Sequence, residues 1–170
     1  MQDWAARFPG LTAVLAGANH VDVHAVKSDL GLREFIADMM NYHPRWLRLL
    51  YRVRKFFVAL LGMRQDGIPA APGWRAEAVP MRTGQAASFF TVRAAEEDRL
   101  WIVDAEERHL RATLCVVREA GLFSLVTIVH YRHWTGPIYF NVIRPFHHLV
   151  LARMARAGAG EARGCAKVPL

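Results

Sequence analysis

Residues 122–157 read LFSLVTIVHYRHWTGPIYFNVIRPFHHLVLARMARA, and the change of period within them decides the fold. Through His133 the stretch alternates every second residue and is rich in Val, Ile, Thr and Phe, which marks a strand. At Thr135-Gly136-Pro137 the pattern turns helical, and Pro137 suits a first turn, where its missing N–H has no intrahelical acceptor to lose. Ile138, Val142, Phe146, Leu149 and Val150 then make one broad apolar face. Pro145 removes a backbone donor in mid-helix and is expected to bend it. A strand therefore runs almost directly into a long closing helix.

The same alternation recurs upstream. Residues 88–93, 99–104 and 108–119 read as three further strands, with Ala120-Gly121 as the hairpin turn into the fourth. Residues 21–26 alternate well enough for a first strand. Leu32, Phe35, Ile36, Met39 and Met40 then fall at helical spacing behind Ser28 and Asp29, whose side chains suit a helix cap. His43-Pro44 stops that helix, because the residue before proline avoids the helical region. Pro44 opens a second helix that closes at Gly62, with Trp46, Leu49, Leu50, Val53, Phe57 and Leu60 on one stripe. Residues 63–85 form a loop rich in proline and glycine, with a short strand expected near 74–79. Residues 1–20 show no clear period and read as an N-terminal extension. The domain spans 21–157, and a Gly- and Ala-rich tail over 158–170 is expected to fray.

A sheet with one apolar face needs a cover, and only the closing helix is long enough to lie across four or more strands. The expected fold is α+β in the helix-grip arrangement: a curved antiparallel sheet around a long C-terminal helix, with two short helices after the first strand.

The composition agrees with a single domain. The 170 residues are 53% hydrophobic and 22% charged, which excludes disorder and a coiled coil. Two cysteines, Cys115 and Cys165, cannot make a disulfide framework. Six cations and no acid lie between residues 41 and 64, so most of the net charge of +7 sits there. A nucleic-acid partner is not expected, because such binding needs basic charge along an extended face. Arg45, Arg48, Arg52 and Lys55 instead line one helix face, which could rest on an anionic membrane surface. No uninterrupted apolar run reaches the length of a membrane span, and no signal peptide is visible, so a cytoplasmic protein is expected.

One family shares these motifs. The run from Thr127 to Tyr139, the Ile143-Arg144-Pro145-Phe146-His147 string, the Trp46-to-Gly62 segment with Arg52-Val53-Arg54, and Asp104 followed by His109-Leu110 resemble an uncharacterised family of small bacterial domains. That family occurs alone or behind an NAD(P)-binding epimerase-like domain, and it is similar to the START and polyketide-cyclase superfamily. The resemblance covers about residues 21–157. It implies a cavity between sheet and closing helix that takes apolar or amphipathic molecules, and it suggests a separate NAD(P)-binding protein as a partner. This chain has Arg111 where the family usually carries an acid.

The cavity is expected to be lined by Trp101, Leu110, Leu114, Ile128, His130, Tyr139, Phe146 and His147. That expectation puts Leu110, Ala112 and Leu114 on one face with Val126, Ile128 and His130. His147 shares a helix row with Phe140, Ile143, Leu151 and Met154, whereas His148 falls on the solvent side. Acid–base chemistry of a cyclase, dehydratase or isomerase would fall to Asp104, His109, His130 and Tyr139. His130 is more simply a core histidine held by a backbone carbonyl. No cofactor is expected and no metal: His130 and His133 point to opposite strand faces, and His20 and His24 share a face with only Asp22 between them. Cys115 has no base beside it and reads as a buried structural thiol. The leading expectation is a binding domain for a small apolar or amphipathic molecule.

Overall fold

A computed structural model describes residues 9–47, 71–106 and 109–160. Among the described residues, three complete helices, α1 (Pro9–Leu15), α2 (Leu32–Asn41) and α3 (Thr135–Gly158), accompany six strands. The strands are β1 (His20–Lys27), β2 (Ala86–Ala87), β3 (Phe90–Glu96), β4 (Leu100–Glu106), β5 (Leu110–Glu119) and β6 (Leu122–Tyr131). They form one curved, open antiparallel sheet in the order β1-β6-β5-β4-β3-β2. The first strand thus pairs with the last, at one edge. The architecture is α+β and consistent with a helix-grip.

The β5–β6 hairpin turns on Ala120 and Gly121, both at positive φ (48° and 77°), the backbone of a two-residue turn whose twist matches its strands. Glu119 therefore faces Leu122, and every even-numbered residue of β5 faces an odd-numbered residue of β6. This corrects the expected face. Leu110, Ala112 and Leu114 sit opposite Tyr131, Val129 and Thr127, while Ile128 and His130 point the other way with Thr113 and Arg111. A one-residue error in register moves every side chain to the opposite face.

The inner face carries Val92, Trp101, Val103, Leu114, Val116, Phe123 and Leu125, packed against α2 and the C-terminal half of α3. Leu32, Phe35, Ile36, Met39 and Met40 are all buried, as their helical spacing predicts. The Phe35 and Phe123 rings stack with centroids 4.1 Å apart. The cap of α2 lies later than Ser28 and Asp29: Gly31 holds the cap position, and its N–H donates to Oε2 of Glu34 at 3.0 Å. Helices α2 and α3 cross closely at Gly158, where a Cβ would lie 3.0 Å from the Phe35 carbonyl oxygen. Gly158 is thus a packed end of α3 instead of the start of a loose tail.

The outer face has its own cover. Leu11 and Val14 of α1 lie on Leu100, Ile102, Cys115, Val117, Val126 and Ile128, all buried. No period marked this helix in the sequence, because seven residues expose too few turns to establish one. Between residues 74 and 79 a 3-10 turn at Ala76–Ala78 replaces the expected strand. The second basic helix is described only to Leu47. Arg45 is exposed; Arg48, Arg52 and Lys55 lie outside the described residues.

Candidate functional site

The inner face is filled unevenly along its length. Where α2 and α3 meet, large side chains close it. Toward the N-terminal half of α3, the cross-strand partners Ala105 and Ala112 offer only methyl groups. The space above them is a cavity of about 200 Å³. Leu110, Leu114, Thr127 and Val129 complete the sheet side, and Tyr139, Phe140, Ile143, His147, Val150 and Met154 hang from α3. Met40, Tyr42, His43 and Leu47 bound one end, Phe89 and Phe90 another.

The wall is apolar apart from a few groups. Thr127 Oγ1 and His147 Nε2 are both buried and have no hydrogen-bond partner among the described residues. Burial pushes His147 from its ordinary value of 6.5 down to about 4, so its ring is neutral near pH 7. A buried polar atom that makes no hydrogen bond costs about 1–3 kcal/mol. Both residues belong to the lining of the cavity.

A polar cluster adjoins this wall at the sheet edge. His20, Asp22 and His24 occupy alternate positions of β1 and so face α3 together. Asp22 is the cross-strand partner of the cavity residue Thr127. Its Oδ2 accepts from His24 Nε2 at 3.0 Å and from His148 Nδ1 at 2.6 Å. His148 therefore turns inward to β1, and the solvent-side placement expected of it is corrected. Phe140 stands between the cluster and the cavity, its ring 4.8 Å from His20 and 5.9 Å from His147. Burial first, and the Arg144 charge second, lower the His20 pKa.

The sequence-predicted residues scatter. Leu110, Leu114, Tyr139 and His147 line the cavity. Trp101 is buried elsewhere on the inner face, where its Nε1–H donates to the Pro80 carbonyl at 2.8 Å. Ile128 lies in the outer cluster beneath α1. His130 is on the outer face too, its Nε2 3.2 Å from the Ala16 carbonyl oxygen, which fixes that nitrogen as a donor. Phe146 is 42% exposed, and Ile138, Val142 and Leu149 share its stripe. The face of α3 that meets the sheet is the neighbouring row, Tyr139, Ile143, His147, Val150 and Met154.

The four residues proposed for acid–base work do not converge. Asp104 is on the outer side, bound to Arg93 Nε at 2.7 Å, Arg111 Nη2 at 2.9 Å and Thr113 Oγ1 at 2.6 Å. Arg111, standing where the resemblance leads one to expect an acid, instead neutralises Asp104. His109 Nδ1 and His133 Nδ1 each lie 3.0 Å from Thr135 Oγ1 at the start of α3. Tyr139 alone of the four reaches the cavity. Cys115 is sealed under α1, where burial pushes its thiol far up, so it stays protonated and unreactive.

Among the described residues, no helix is long and apolar enough to cross a membrane. A family model described as Protein of unknown function (DUF2867) matches residues 14–154. That is most of the chain, and the chain belongs to this family. No curated protein and no solved structure matches the sequence.

Proposed function

We propose that this member of the DUF2867 family binds a small, largely apolar molecule carrying one polar group, in the cavity between the sheet and α3. The observation that supports it is an apolar-walled cavity of about 200 Å³ whose lining residues Thr127 and His147 each hold a buried polar atom, Oγ1 and Nε2, with no hydrogen-bond partner among the described residues. An apolar cavity of roughly 150 Å³ is enough for a benzene-sized guest, so one ring or a short branched chain fits the volume. Thr127 can donate or accept, and neutral His147 offers one nitrogen of either kind according to its tautomer. The apolar body supplies affinity and the polar pair sets orientation. A likeness to START-type helix-grip proteins agrees with this reading, as does the position of the cavity beneath the closing helix.

Native mass spectrometry of the purified chain, followed by solvent extraction, tests it. The expected result is a co-purifying small molecule that disappears in Ala112→Phe, whose ring would occupy the hollow. Protein at its bare mass, with fluorescence of 2-naphthol unchanged on titration with either form, would overturn the reading.

A further inference from the structure

Beside the cavity, one nitrogen from each of two imidazoles and the oxygen of a carboxylate lie close together. Asp22 and His24 come from alternate positions of β1, and His148 comes from α3, 126 residues from Asp22 along the chain. The Asp22 carboxylate, His24 Nε2 and His148 Nδ1 lie within 4.8 Å of one another. We propose that these three residues bind one divalent first-row transition-metal ion.

Several observations carry this. The ligand set is nitrogen and carboxylate oxygen without thiolate, which suits Zn²⁺, Fe²⁺, Co²⁺ or Ni²⁺ over Ca²⁺ or Mg²⁺. Ligand atoms around a tetrahedral ion with bonds of 2.0–2.1 Å sit roughly 3.3 Å apart. The contacts of 2.6 and 3.0 Å to Asp22 need to open by about 0.7 and 0.3 Å to reach that spacing, each hydrogen-bond proton giving way to the ion. The site is shielded yet reachable: the side chains of Asp22, His24 and His148 are 13%, 23% and 38% exposed.

A purely structural ion pair explains the arrangement less well. An Arg or Lys in place of either histidine would hold Asp22 at any physiological pH, whereas a neutral imidazole donates one hydrogen bond and carries no charge. A third imidazole stands nearby. His20 lies on the same face of β1, its ring edge-on to His148 with centroids 5.9 Å apart, and its Nε2 is buried without a partner among the described residues. Three protein ligands leave at least one coordination position open. The ion would stand next to the cavity wall, since Asp22 pairs with Thr127 and His148 follows His147. The site does not depend on the cavity holding a guest.

Titration of the EDTA-treated full chain with Zn²⁺ in a calorimeter, and with Co²⁺ followed by visible absorption, tests the assignment. The expected result is saturation at one ion per chain, with Co²⁺ d–d bands of a low-symmetry N/O site. Asp22→Asn and His148→Gln should each weaken Zn²⁺ binding by ~100-fold or more, since even outer-shell changes cost 10–100-fold. Each should also abolish the bands. His109→Gln/His133→Gln, which removes the other close histidine pair, serves as control and should leave binding unchanged. Melting curves in EDTA establish that each variant is folded. The proposal is overturned if no saturable binding occurs, if the control loses binding as much as the cluster variants, or if folded Asp22→Asn and His148→Gln bind Zn²⁺ as wild type does.

Discussion

The two faces of the sheet carry similar strands and end differently. Beneath α1 the outer face is packed with Leu, Ile, Val and the Cys115 thiol, and Asp104 on that side meets two arginines and a threonine hydroxyl, while Arg111 Nε and His130 Nδ1 are buried without a hydrogen-bond partner among the described residues. Beneath α3 the inner face is tightly filled only where α2 joins it. Farther along, paired alanines replace branched side chains, and buried polar atoms stand without partners among the described residues. The difference between the faces is one of filling: in the proposed reading the hollow of the inner face takes the guest and the packed outer face is scaffold.

The largest expected effect tests the filled end of the inner face. Phe35→Ala removes the ring stacked on Phe123 and should cost about 3–5 kcal/mol in urea unfolding. A value near zero would mean that this end is loosely packed as well. Next, the same insertion on opposite faces of β5 should separate the two regions. Cys115→Phe, under α1, is expected to cost about 1–3 kcal/mol or prevent folding, because close-packed cores resist added volume. Ala112→Phe, over the cavity, should change stability by less than about 1 kcal/mol. Equal costs would erase the distinction between the faces.

A further test concerns pH. His147 is held below its unfolded value of 6.5, at about 4, so the folded state disfavours its charged form. The stability it contributes is complete above pH 6.5 and declines as pH falls toward 4, with a slope of at most about 1.4 kcal/mol per pH unit. Urea unfolding in EDTA between pH 4 and 7 should show that slope, and His147→Phe should flatten it. An unchanged profile in the variant would assign the dependence to other groups.

Much of the fold was legible from one chain. The two-residue turn at Ala120-Gly121, the run of alternating strands and the start of the closing helix at Thr135 all rest on local chemistry, and all are present. The orientation of α3 was not legible. Its sequence carries two adjacent apolar rows, one through Ile138, Val142, Phe146 and Leu149, the other through Tyr139, Ile143, His147, Val150 and Met154. Hydrophobicity alone does not rank them, and the sheet selects the second. The first row remains exposed.

The candidate site was harder still. Tyr139, His147, Leu110 and Leu114 were recognisable as inward residues, but His130 and Ile128 were misplaced by counting across the hairpin in the wrong parity. The polar cluster escaped because its halves meet only through tertiary packing. The alternation of His20, Asp22 and His24 on one strand face was the available signal, and it lacked the partner that α3 supplies.

Among the described residues, strand β1 hydrogen-bonds to a neighbour on one side only, being terminal in the sheet order. Rims of this kind unzip more readily than interior ladders, so amide protons of His20–Lys27 should exchange ahead of those of β5 and β6. Two of the three members of the histidine–carboxylate constellation, Asp22 and His24, ride on that rim. Peeling it away would dismantle the constellation while the hollow behind Thr127 kept its remaining walls, and anything bridging β1 to α3 would act as a latch against such fraying.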